Sequence, residues 1–223
     1  MSNEKDNKIK ILLVLFVFMT LAIGMMSYFA ESKVPEYIGR ELTGKEEEQI
    51  IARNSSLISY VKLSPHADFP RRGEIKKITI HHMAGDYSLE QVGRSFSFKD
   101  RAASANYGID SSGNVGLYVE ESNRSWGSSN EENDQMAVTI EVANDEMGGE
   151  WHVSDEAFNT LIELCVDICS RNDIAELVFT GDPEGNLTYH KMFKSDTECP
   201  GPYLVSRMKD IETLVNEKLD EQR

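Results

Sequence analysis

Apolar and polar positions fall into short blocks along this chain, and each block predicts an element. Lys76 to His81 alternates through Ile78 and Ile80 and reads as a strand that ends at two adjacent histidines, His81 and His82. Ser88 and Gln91 form a capping-box pattern for a helix running to about Phe98. Asn106–Asp110 and Asn114–Val119 read as a hairpin around Ser111-Ser112-Gly113. Ala137–Val142, AVTIEV, is a buried strand with one glutamate inside it. Ser154 caps a long helix whose apolar Phe158, Leu161, Ile162, Cys165 and Ile168 share a face. Leu177–Thr180 reads as a further short strand, and Pro202 opens a last helix to about Leu219. Strands that alternate with helices, together with one hairpin, predict an α/β fold with a mixed central β-sheet flanked by helices.

The amino-terminal pattern differs. Residues 11–30 form an apolar run broken only by Thr20, Gly24 and Ser27. Twenty helical residues span ~30 Å, the thickness of a bilayer core. Lys5, Lys8 and Lys10 precede the run and place residues 1–10 on the cytoplasmic side. The alternative is a cleaved signal peptide, but Tyr28 stands two before Ala30, where cleavage favours a small residue. The expectation is a single-pass transmembrane anchor, with the rest of the chain outside the cell. Residues 31–60, with the charge run Glu46-Glu47-Glu48, read as a stalk, and 61–223 as the folded domain.

The net charge of −15 argues against a nucleic-acid partner. Three cysteines are too few for a disulfide framework. Cys165 and Cys169 read as buried core thiols. Of five histidines, His81 and His190 stand out together with Cys199. His190 and Cys199 lie in a turn-rich segment closing Cys199-Pro200-Gly201-Pro202, so they meet through a loop, while His81 ends a strand. Two imidazoles and a thiolate leave a tetrahedral zinc one open position, the mark of a catalytic ion. Spacing alone leaves satisfied structural histidines as the alternative.

The strings ITIHHMAG, ASANYGIDSSGNVG, AVTIEVAND and NLTYHKMFKSDTECPGPYL resemble the type-2 N-acetylmuramoyl-L-alanine amidase family. That family includes phage endolysins, bacterial autolysins and animal peptidoglycan recognition proteins. The resemblance covers about residues 60–218 and is strongest to Firmicute-type members. It implies that His81, His190 and Cys199 bind Zn2+ and that peptidoglycan is the substrate. His82 is not implied as a ligand, since neighbours in a strand point to opposite faces.

Glu141 is costly inside an apolar strand unless partnered. It is either a salt-bridged structural carboxylate or, as the resemblance implies, the general base. Tyr107 stands at an aromatic position and reads as packing. The resemblance puts Thr197 near the developing oxyanion. Asn106 and Trp126 are expected to line the substrate groove, with core packing the alternative for Trp126. The activity implied is hydrolysis of the amide between N-acetylmuramic acid and L-alanine. A recognition module that binds without cutting, and a peptidase on the same scaffold, are the competing classes. The sequence does not indicate an oligomeric state.

Overall fold

The computed structural model describes residues 34–223, which form one compact unit. The expected cytoplasmic segment 1–10 and anchor 11–30 lie outside the described residues. Among the described residues no helix is long and apolar enough to cross a membrane.

Among the described residues, eight strands and five α-helices follow in chain order. They are α1 (Gly44–Ala52), β1 (Ile58–Val61), β2 (Ala67–Asp68), β3 (Lys77–His82), α2 (Leu89–Ser95), β4 (Tyr107–Ile109) and β5 (Val115–Leu117). After these come β6 (Arg124–Ser125), α3 (Glu131–Met136), β7 (Ala137–Val142), α4 (Asp155–Arg171), β8 (Leu187–Tyr189) and α5 (Gly201–Glu221). The main sheet has the order β1-β5-β4-β7-β3-β8. Only the β4–β5 hairpin is antiparallel, so the sheet is mixed, and β2 and β6 make a separate antiparallel pair.

The period-2 pattern divides the central strands between two faces. Ile78, Ile80, Val138, Ile140 and Val142 join the main core with α4 and α5. Thr79, His81, Thr139 and Glu141 take the alternate positions, with His81 paired in register with Glu141. Over that second face lies a smaller apolar group of Val92, Phe96, Ala105 and Tyr118, brought by α2 and the hairpin. One face is therefore sealed by two long helices. The other carries the polar residues at the carboxyl ends of parallel strands, where open α/β sheets place their sites.

Two expectations are corrected. The segment read as a stalk, 31–60, is part of the domain from residue 34 onward. α1 has the full capping box, with Thr43 accepting from the Glu46 N–H and Glu46 from the Thr43 N–H. Its three glutamates face outward while Ile50 is buried in the core, and β1 adds a parallel edge strand against β5. The Tyr37 hydroxyl donates to the buried Glu120 carboxylate at 2.6 Å, and Arg53 pairs with the same group. The second correction is Leu177–Thr180, which is not a strand. Its backbone groups go to the Asn216 side chain and to Asn186 rather than to a ladder.

Candidate active site

β3 delivers His81, and β8 runs straight into a 3-10 turn that starts at His190. β8 lies beside β3, so the two imidazoles become neighbours, with ring centroids 4.7 Å apart. Cys199 comes from the loop just before α5. Its Sγ lies 3.5 Å from His81 Nδ1 and accepts the backbone N–H of His82 at 3.4 Å. One donor atom from each of His81, His190 and Cys199 falls within 4.8 Å of the others. Gly201 makes the close approach of this loop possible. Its φ is +85°, and a Cβ there would meet Trp151 at 2.8 Å.

Burial sets the charge states. It pushes the His81 imidazole well below its ordinary range, assisted by the neighbouring His190 and His82, and lowers His190 as well. Both rings are therefore neutral, the form that offers a lone pair to a cation. Burial also pushes the Cys199 thiol well up, so a cation is needed to stabilise its thiolate. The Nε2 atoms of His81 and His190 are buried without a hydrogen-bond partner among the described residues. Buried polar atoms in that state are rare, and a missing ion is one of the standard reasons.

Glu141 reaches the same cleft from β7. Its Oε2 is also buried without a partner among the described residues, so it is not a salt-bridged structural carboxylate. Burial raises it to about 8, opposed by the charge of Arg101. Gly108, its register partner on β4, leaves room for the Tyr118 ring, which a Cβ there would strike at 2.7 Å. Thr197 lines the cleft too, and its Oγ1 accepts the Cys199 N–H at 3.2 Å, which leaves the hydroxyl proton free to donate elsewhere. The cleft measures about 580 Å³.

The remaining expected site residues lie elsewhere. Asn106 is fully buried beneath the site and is not a groove residue. Its Nδ2 donates to Val119 O, and its Oδ1 accepts from Thr139 N and Ser125 Oγ, so it ties β7 to the loop after the hairpin. Trp126 is not a cleft residue either: its Nε1 donates to Asp68 Oδ1 and its ring leans on His66. Gly127, its neighbour, approaches His81 closely, since a Cβ there would lie 3.4 Å from Nε2. Tyr107 is buried and donates to Glu121. The His82 ring packs edge-on against Trp151 and lines the cleft without joining the triad. Tyr87, Gln91 and Arg101 line the cleft without having been singled out by the sequence. Tyr87 and Arg101 sit in loops where no periodicity marks them, and Gln91 reads in the sequence only as part of the α2 capping box.

A shielded carboxylate beside a soft donor triad, open to solvent through a cleft, is the arrangement of a hydrolase. The particular family follows from comparison. Residues 71–202 match the family model described as N-acetylmuramoyl-L-alanine amidase, and the chain belongs to that family. Solved structures share the fold. The E90A mutant of PlyL aligns with a TM-score of 0.55 at 16% identity, over 70% of this chain and 96% of that one. A selenomethionine AmpD derivative aligns at 0.54 and 19%, over 68% and 93%. A mutant endolysin from Bacillus subtilis aligns at 0.52 and 18%, over 70% and 97%. No curated protein sequence matches the chain. The protein is thus a peptidoglycan amidase by family, with the mixed sheet and flanking helices of its structural neighbours.

Proposed function

We propose that this protein is a zinc-dependent amidase that hydrolyses the bond between N-acetylmuramic acid and L-alanine in peptidoglycan. The observation that carries the reading is the convergence of His81, His190 and Cys199 within 4.8 Å beside the unpartnered Glu141 carboxylate. The donors fit the ion. Zinc takes imidazole and thiolate together, and three protein ligands are what catalytic sites use. Bound there, zinc supplies Lewis acidity toward a carbonyl and toward water.

The chain's own residues do the rest. Glu141 accepts the proton of the attacking water and hands it to the departing L-alanine amine. Its raised proton affinity suits a group that must hold a proton for part of the cycle. Thr197, oriented by the Cys199 N–H, donates its hydroxyl to the oxygen of the lactyl carbonyl as negative charge develops there. α2, with Phe96, screens the cleft from one side and lowers the dielectric around the carboxylate. A recognition module that binds without cutting needs neither the thiol donor nor the shielded carboxylate. Their presence together supports catalysis.

By the same proposal, residues 11–30 anchor the protein in the membrane with the domain outside the cell. That part rests on the apolar run and the three preceding lysines. The deciding experiment digests purified peptidoglycan with the zinc-loaded protein and identifies the products by mass spectrometry. New free L-alanine amino termini and intact lactyl carboxylates are expected, with one zinc per chain. Cleavage between two amino acids of the stem would overturn the reading in favour of a peptidase.

A further inference from the structure

The three donors are not held alike. His81 sits in β3 and His190 opens the turn after β8, so the β3–β8 ladder places both. Cys199 belongs to no ladder. On one side its carbonyl accepts the Lys191 N–H at 3.0 Å. On the other side, the chain that follows it is met at Gly201 by Trp151, from the loop between β7 and α4.

That loop is closed on itself. The Asp145 N–H donates to the His152 carbonyl at 3.1 Å, and the Asn144 amide to the Trp151 carbonyl at 2.8 Å. Asp145 Oδ1 and His152 Nδ1 meet at 2.7 Å across the same base. The loop is also tied to the first turn of α5, where the Tyr203 N–H donates to the Glu150 carbonyl at 2.9 Å. Gly148, Gly149 and Trp151 are left-handed, at φ 80°, 57° and 56°. Glycine takes that backbone freely. A bulky aromatic residue takes it rarely, and such strain persists where the surroundings over-determine it. A third glycine would make the turn without strain, so the indole itself has a use.

That use is not in the cleft, which Trp151 does not line. Its ring stands edge-on to the His82 ring, with centroids 5.1 Å apart and planes at 82°. Gly201 touches both residues: a Cβ there would lie 2.8 Å from Trp151 Cβ and 3.3 Å from His82 Nδ1. Trp151 and His82 thus bound the space that Gly201 fills, two residues beyond the thiol. The His82 N–H donates to the thiol itself, at 3.4 Å from Cys199 Sγ.

We infer that Trp151 is a positioning residue for the thiol donor: with His82 it holds Gly201, and so sets Cys199 beside the two imidazoles before a cation arrives. A donor already in place loses less conformational freedom when the ion binds. Groups that hold metal ligands commonly cost 10–100-fold in affinity when removed. The inference rests on the proposed zinc site for its metal readout, though not for its thiol readout.

The full chain is prepared free of metal as wild type, Trp151→Ala, Trp151→Gly and Trp151→Phe, with Ile50→Ala as a control that loosens the core at α1. Two quantities are read below the onset of unfolding of each. One is zinc affinity, by competition with a chelating dye. The other is the rate at which iodoacetamide alkylates Cys199 in the metal-free protein, followed by peptide mass spectrometry. Trp151→Ala and Trp151→Gly should both weaken zinc by about 10–100-fold and speed alkylation by about 10-fold or more. Trp151→Phe should recover most of both, since it restores a ring against His82. Ile50→Ala should move neither. Wild-type values in Trp151→Ala would overturn the inference. So would wild-type values in Trp151→Gly alone, since the role would then lie in the backbone turn and not in the indole. An equal effect from Ile50→Ala would reduce Trp151 to a residue that only stabilises the fold. Where wild type binds zinc, a change in one quantity without the other would overturn the inference as well. If wild type binds no zinc but Trp151→Ala still frees Cys199 for alkylation, the positioning role stands and the proposed metal site fails.

Discussion

The two ends of the parallel strands hold buried ionisable groups under opposite rules. At the amino-terminal end, Glu121 accepts both Arg171 nitrogens at 2.8 and 2.7 Å, the Tyr107 hydroxyl at 2.6 Å and the Asn172 amide at 3.0 Å. Arg71 is satisfied beside it by carbonyls of the loop before β6 and of α3. At the carboxyl-terminal end, about four residues further along β7, Glu141, His81 and His190 each keep a buried atom with no partner. The first end is closed and structural. The second keeps desolvated groups unpaired, a standing cost of ~1–3 kcal/mol per neutral group. Comparing them separates groups paired to hold the fold from groups left open to a ligand.

The comparison can be broken at either end, and the largest effect belongs to the unpaired one. Cys199→Ser and His190→Ala should each abolish bound zinc and reduce peptidoglycan hydrolysis to background, with thermal unfolding of the metal-free forms nearly unchanged. Full zinc in Cys199→Ser, measured by atomic emission, would remove the thiol from the donor set. Glu141→Gln should keep zinc and lose ~100-fold or more in turnover, the scale of general acid–base catalysis. Near-normal turnover in that variant would leave the base unassigned.

Stability separates the ends in the other direction. Glu121→Gln strips a buried, bidentate pair of its charge and should destabilise by ~3 kcal/mol in urea unfolding, while the folded fraction keeps its specific activity. Glu141→Gln should do the reverse in metal-free protein. Burial raises the Glu141 carboxyl to about 8 against an ordinary 4.5, so the folded state keeps a proton that the unfolded chain releases. Its contribution is fully present below pH 4.5 and is lost as pH rises toward 8. Glutamine has no such dependence, so the variant should be the more stable form at pH 7, by on the order of 1–3 kcal/mol. That advantage should vanish near pH 4, and a stability difference independent of pH would show that the carboxylate is solvated. The smallest effect is expected at the amino-terminal segment. Tyr37→Phe removes one hydrogen bond to Glu120 and should cost ~1 kcal/mol, with no change in activity.

The same contrast explains what the sequence could reveal. β3, β7 and α4 were legible because each has one face made wholly of core residues, and burial imposes a period. The edge elements were not. α1 buries one side chain fully, Ile50, so its exposed glutamates dominated the pattern and the segment resembled a stalk. β8 has three residues, too few to show alternation. Leu177–Thr180 has strand-like composition, but Asn216 and Asn186 satisfy its backbone, and no periodicity reports a side-chain partner. Within the site, the three donors were visible through residue chemistry and family resemblance. Asn106 was misplaced because a motif position does not say whether a side chain faces a ligand or a neighbouring strand. Arg101 stayed silent because a free guanidinium is recognised only by the absence of partners, which one-dimensional sequence does not record.

Cys199 lies 118 residues beyond His81, immediately before the 21 residues of α5. A ribosome making this chain therefore delivers the first donor long before the last. The α4–α5 packing that seals the sheet also comes after every strand has been made. By the proposed assignment, a chain clipped or stalled between residues 190 and 199 carries both imidazoles and Glu141 but not the thiol, however well its strands have paired. Under the proposed reading, the position of one thiol thus makes the amidase activity depend on chain that lies beyond both histidines and every strand.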